Sequence, residues 1–130
     1  MKIFTNNLQL IFKLYNICLI ILYLYPGSIL GFFIYNDFNI QPQITKDLFQ
    51  ISSTHIYAFS LISIFGLFAF KTKKRLFAYL LCLSIVLELF HLVIPNRSFQ
   101  IGDLNGNLLG VIIPFLIYKV YEILFQTKKK

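Results

Sequence analysis

The chain has 130 residues, enough for one domain, of which 58% are hydrophobic and only 13% charged, and its mean hydropathy is +0.73. Soluble domains are about half apolar and about a quarter charged, so an ordinary soluble fold is excluded and a bilayer is the expected solvent. The net charge of +7 does not point to nucleic acid, because the basic residues cluster at the ends of apolar runs, as in Lys71 to Arg75 and Lys128 to Lys130. Such placement reads as membrane anchoring, and with no recognition motif present no nucleic-acid partner is expected.

The first apolar run covers residues 8–25. At ~1.5 Å per residue, about eighteen residues or more cross a ~30 Å hydrocarbon slab. Tyr25-Pro26-Gly27 follows where a cleaved leader would carry small residues, so the run is read as an uncleaved span. Next comes a second greasy patch, Ser28 to Tyr35, which either extends a kinked helix beyond Pro26 or lies in the interface with its aromatics at headgroup level. The stretch 36–50, with Asp37, Pro42, Lys46 and Asp47, reads as a watery loop.

Further spans are expected at about 51–70, 76–94 and 104–125. The fold class is therefore all-α, a membrane-spanning four-helix bundle, with residues 1–130 as a single domain. Cys18 and Cys82 fall inside these runs without a CxxC pair or metal-ligand spacing, and are expected to be small packing residues.

Positive residues near span ends are retained in the cytoplasm. With four spans, one side holds Lys2, Lys13, Lys71, Lys73, Lys74, Arg75 and Lys128 to Lys130, whereas the other holds only Lys46 and Arg97. Both termini are thus expected to be cytoplasmic, in a multi-pass protein of the cytoplasmic (inner) membrane.

This orientation brings the costly residues of the chain together. Glu88, His91, Arg97, Asp103 and Asn107 fall near the outer ends of the third and fourth spans, and His55 lies one turn into the second. An ionised carboxylate facing lipid costs ~2.5 to 3.5 kcal/mol on insertion scales, so Glu88 should face inward, with His91 at i+3 on the same helix face. Pro95 to Ser98 forms a tight turn that presents Arg97 over the mouth of the bundle, either as a snorkelling anchor or as a planar fork for a carboxylate or phosphate. Asp103 is a candidate N-cap of the fourth span. Asn107 and Gly110 continue one stripe down that helix, and Pro114 is expected to kink it.

The order Glu88-x-x-His91, Pro95-x-Arg97, Asp103-x-x-x-Asn107-x-x-Gly110 resembles the VanZ-like family of small membrane proteins, named after a member associated with teicoplanin resistance. His55 matches the His of an Asp-Lys-x-x-His motif that opens the second span in that family. Here Ile51 and Ser52 stand in place of the Asp-Lys pair, and His91 stands where Gln is usual. The resemblance implies about four spans, no established cofactor and a connection with cell-envelope precursors.

Three functions are expected to compete. In the first, Glu88 acts as general acid or base with His55 or His91 as proton shuttle. Arg97 then clamps an anionic headgroup while Asp103 and Asn107 orient the partners, the substrate being a membrane lipid or a lipid-linked cell-envelope precursor. In the second, the protein is a non-catalytic interaction or scaffold protein whose polar cluster only holds the helices together. The third is a proton-coupled carrier, but the strongly polar spanning residues lie at one end, with Lys119 and Glu122 near the other as an i+3 pair or interface residues. No metal is assigned, because spacing across separate helices does not define the geometry of His55, Glu88, His91 and Asp103. Nor does the sequence define an oligomeric state.

Overall fold

The computed structural model describes residues 2–126, and every regular element among them is helical. Five helices follow in order: α1 (Lys2–Leu24), α2 (Ile29–Tyr35), α3 (Ser53–Ala69), α4 (Lys73–Phe90) and α5 (Ile101–Gln126). The four long helices pack against one another, most extensively α3 on α5. Lys128 to Lys130, part of the charge asymmetry read from the sequence, lie outside the described residues.

Local features mark the ends of several helices. α1 stops at Leu24 because Pro26 has no N–H to continue the ladder, and Gly27 turns the chain with φ 118°, a conformation that disfavours any Cβ. α2 is then a separate short helix, capped by the Ser28 hydroxyl, which accepts the Gly31 N–H at 2.9 Å. Patch 28–35 therefore does not prolong α1. At the α3 C-terminus, Lys73 donates to the Leu67 and Phe70 carbonyls, a cation where the helix dipole is negative.

Span boundaries shift by a few residues from expectation. α1 begins at Lys2 rather than near residue 8, which places Lys13 midway along the helix and exposed instead of at its end. α4 ends at Phe90, and residues 91–93 close it with tight i→i+3 bonds instead of continuing to 94. Pro95 and Asn96, at φ 60°, then occupy the centre of a turn in which Arg97 N bonds Ile94 O at 3.3 Å. Pro114 lies inside α5, which runs on through it.

Thr5–Leu24 and Ile101–Phe125 are long and apolar enough to cross a membrane, and only 17% of either window is buried. Large apolar side chains instead cover the outside: Leu10, Leu14, Ile17 and Ile21 along α1, Leu116, Ile117 and Val120 on α5. Cys18 and Cys82 are exposed as well, contrary to the expectation that they fill the packing between helices. Their helices turn other residues inward, Phe12 and Leu19 from α1, Leu80 and Leu87 from α4.

The tight α3–α5 contact has a sequence cause of which only Gly110, expected to allow close approach, was read from the sequence. Gly102, Gly106 and Gly110 recur every four residues along one face of α5. A Cβ on Gly106 would come within 2.6 Å of the Ser52 carbonyl, and one on Gly110 within 2.6 Å of the Ile56 carbonyl. Hydrogen at these positions lets the two backbones approach, the small-xxx-small device of helix packing in membranes.

Candidate functional site

Because α5 lies so close to α3 and follows α4 through a short turn, three helices deliver polar side chains to one end of the packed helices. Glu88 from α4 and Asn107 from α5 are fully buried at 0% exposure, and His91, just past α4, is also buried. His55 and Asp103 are mostly buried, with side-chain exposures of 11% and 15%. All six residues singled out from the sequence lie in this region, and each has a defined partner.

Glu88 joins the end of α4 to the start of α5. Its Oε1 accepts the backbone N–H of Gln100 at 3.1 Å and lies 3.3 Å from His91 Nδ1. A carboxylate at the positive end of α5 is electrostatically favourable. Oε2 is buried and takes no hydrogen bond from the described residues. His91 Nε2 lies 3.1 Å from the Tyr23 carbonyl, so both ring nitrogens face oxygens.

Asp103 corrects one expectation. It is not the N-cap, because α5 starts at Ile101 and Gln100 O already accepts the Asp103 and Leu104 N–H groups at 3.1 Å. Asp103 stands within the first turn, and its Oδ1 lies 3.6 Å from His55 Nδ1. Ser52 Oγ is 2.6 Å from the same nitrogen. A serine nucleophile relay needs its hydroxyl and its carboxylate on opposite ring nitrogens. With both on Nδ1, Ser52, His55 and Asp103 do not form such a triad.

Arg97 is placed otherwise than expected. Rather than standing free over the mouth, its guanidinium turns onto the C-terminus of α1, Nε donating to Tyr25 O at 3.2 Å and Nη2 to Leu22 O at 3.1 Å. Burial lowers its pKa from the ordinary value, with Tyr23, Asp103 and Glu88 opposing that shift, and it stays a cation. Asn107 bridges two helices, its Oδ1 accepting from Tyr23 OH at 2.6 Å and its Nδ2 donating to Ser84 O at 3.4 Å.

Tyr23 was overlooked, although it touches His55, His91 and Asn107. Its ring stacks on His91 with centroids 5.8 Å apart and meets His55 edge-on at 5.3 Å. In the sequence it is one aromatic among eight tyrosines in a greasy run, and only its helical register could have pointed inward. Beside the cluster lies a mostly apolar cavity of about 150 Å³, whose wall includes Leu19, Leu22 and Ile29 as well as Tyr23, His55, His91 and Arg97. Glu88 and Asp103 are not part of this lining, and they meet it through His91 and His55.

At the opposite end, Lys119 and Glu122 form the expected i+3 pair at 3.2 Å. A larger cavity of about 690 Å³ opens there between Lys71 to Arg75 and the last turns of α5.

The structure thus defines an all-helical protein with an apolar exterior and a polar cluster buried at one end. No protein-family description, curated protein or solved structure matches the chain.

Proposed function

We propose that the chain is a VanZ-like integral membrane protein, a membrane-spanning four-helix bundle of α1, α3, α4 and α5, that binds or acts on the polar headgroup of a membrane lipid or lipid-linked cell-envelope precursor. Supporting the bundle is the inverted distribution of side chains, apolar outside and Glu88, His91, Asn107, Ser63 and Ser84 inside. Both termini face the cytoplasm and the cluster faces outward, in keeping with the basic residues between α3 and α4. Lys13, exposed midway along α1, is a cation that this placement sets in the bilayer at a cost.

A single observation carries the headgroup reading: fully buried Glu88, with one oxygen unpartnered among the described residues, contacts His91 in the wall of a cavity that also carries His55 and cationic Arg97. At about 30 Å³ per water, 150 Å³ takes roughly five waters or one phosphate-sized group. Glu88 supplies or removes a proton, His91 relays it, and Arg97 balances an anionic group at the cavity wall. Asp103 and Asn107 hold His55 and Tyr23 in place.

The test has two arms. Ser98→Cys, in a chain freed of Cys18 and Cys82, should react with an impermeant maleimide added outside intact cells, whereas Thr72→Cys should not. In a teicoplanin-susceptible host, the chain should raise resistance and Glu88→Gln should abolish that rise at equal membrane abundance. Labelling of Thr72→Cys alone, or full resistance in Glu88→Gln, refutes the reading.

One observation favours the alternative of a non-catalytic scaffold. Arg97 and His91 both direct nitrogens onto α1 carbonyls, as residues that merely hold helices together would. On that reading, substitutions lower thermal stability and function in parallel.

A further inference from the structure

We infer that His55, Glu88 and Asp103 form a binding site for a divalent transition-metal ion of the zinc class. One donor atom from each, brought from α3, α4 and α5, lies within 4.8 Å of the other two. Residue types alone do not make such a site. What marks this one is Glu88, fully buried and with Oε2 lacking any donor among the described residues. A buried anionic oxygen without a partner is costly, and a cation is the ligand that satisfies it.

The surroundings agree. Glu88 Oε1 is held from behind by His91 Nδ1 and the Gln100 N–H, which leaves Oε2 as the oxygen free to ligate. Outer hydrogen bonds of this kind steer and tune metal ligands. Ser52 Oγ lies 2.6 Å from His55 Nδ1, the nitrogen that Asp103 also faces, so either that hydroxyl gives way to the ion or Nε2 ligates it. Charge is balanced too, since a dication neutralises two carboxylates sunk among apolar helices.

Donor chemistry selects the ion class. An imidazole nitrogen beside two carboxylates suits zinc and its first-row neighbours better than magnesium or calcium, which take oxygen ligands. Tetrahedral donors about 2.1 Å from zinc stand roughly 3.4 Å from each other, so closing the set takes side-chain shifts on the order of an ångström. Three protein donors leave a position for water or a substrate oxygen, the open form seen where the ion does chemistry. The inference does not rest on the headgroup reading, because only His55 of the three donors lines the cavity and the donor set is defined without it.

The full chain, purified in detergent and dialysed against chelator, should take up one equivalent of zinc, measured by plasma mass spectrometry. Cobalt should bind with the visible absorption of a low-coordinate nitrogen and oxygen site. His55→Ala, Glu88→Gln and Asp103→Asn should each weaken cobalt binding by about 100-fold or more, since even outer-shell changes cost about 10- to 100-fold. A folded wild-type chain that retains no zinc and gives no cobalt band overturns the inference, as do Glu88→Gln and Asp103→Asn variants that bind like the wild type. Should the variants fail to fold, the wild-type cobalt spectrum decides, a purely octahedral aqueous spectrum counting against the site. Zinc uptake without resistance in the host would leave this inference standing and remove the headgroup reading.

Discussion

Arg97 donates from Nη2 to the carbonyl of Leu22 at 3.1 Å, the carbonyl that an unbroken helix would bond to the N–H of residue 26. Residue 26 is proline and has no N–H. The cation thus supplies the donor that proline removed, from a turn far along the chain, and adds a favourable charge at the negative end of α1.

Arg97→Ala should destabilise the protein by about 2 kcal/mol, the range of a hydrogen bond to a charged group. With Pro26→Ala the missing N–H is restored, so the penalty of Arg97→Ala should fall by roughly half. Thermal unfolding of the four combinations in detergent measures the coupling. An equal penalty in both backgrounds would show that Arg97 does not stand in for the lost donor.

Glu88 should separate structure from chemistry by substituent. Glu88→Gln keeps an oxygen for the Gln100 N–H, whereas Glu88→Leu leaves that donor and His91 Nδ1 facing an apolar side chain. Stranding buried polar groups costs about 1 to 3 kcal/mol each, so Leu should be the more destabilising of the two by at least that amount. Equal unfolding temperatures for Gln and Leu would contradict the hydrogen bonds at Oε1.

Tyr23→Phe removes only a hydroxyl, yet should weaken the association of α1 with α5 because Asn107 Oδ1 loses its 2.6 Å donor. A double-mutant cycle with Asn107→Leu should give a coupling of about 0.6 to 1.7 kcal/mol, the range found for polar contacts inside membranes. A coupling indistinguishable from zero would separate the two residues.

Gly106→Ala should cost about 1 to 3 kcal/mol by overpacking, since its Cβ would press on backbone of α3, which cannot swing aside as a side chain can. Leu116→Ala, on the exposed face of the same helix, should change detergent stability by less than about 0.5 kcal/mol. A Gly106→Ala protein as stable as the parent would show that α3 and α5 do not pack this closely.

Much of the helical layout was legible because its signals are local. Apolar runs bounded by Lys71 to Arg75, the Pro26-Gly27 break and the Pro95-Asn96 turn mark where helices stop, since each acts through its own backbone. Exact ends were less so. α1 extends back to Lys2, and α5 begins before Asp103, because bonds from Gln100 O complete the first turn.

Composition and patterning by themselves determined that the chain is helical and apolar, and that Glu88, His91, Asp103 and Asn107 share an end, since depth follows from position along a helix. Only tertiary structure decided what those groups touch. That Arg97 and His91 turn onto α1 rather than into open space, that Tyr23 reaches Asn107, and that Glu88 keeps one bare oxygen near His55 and Asp103 depend on how helices rotate and approach. Rotation and approach are set by packing between distant segments, here the glycine face of α5 against α3. No single run of residues encodes that energy, because it is a property of two surfaces meeting.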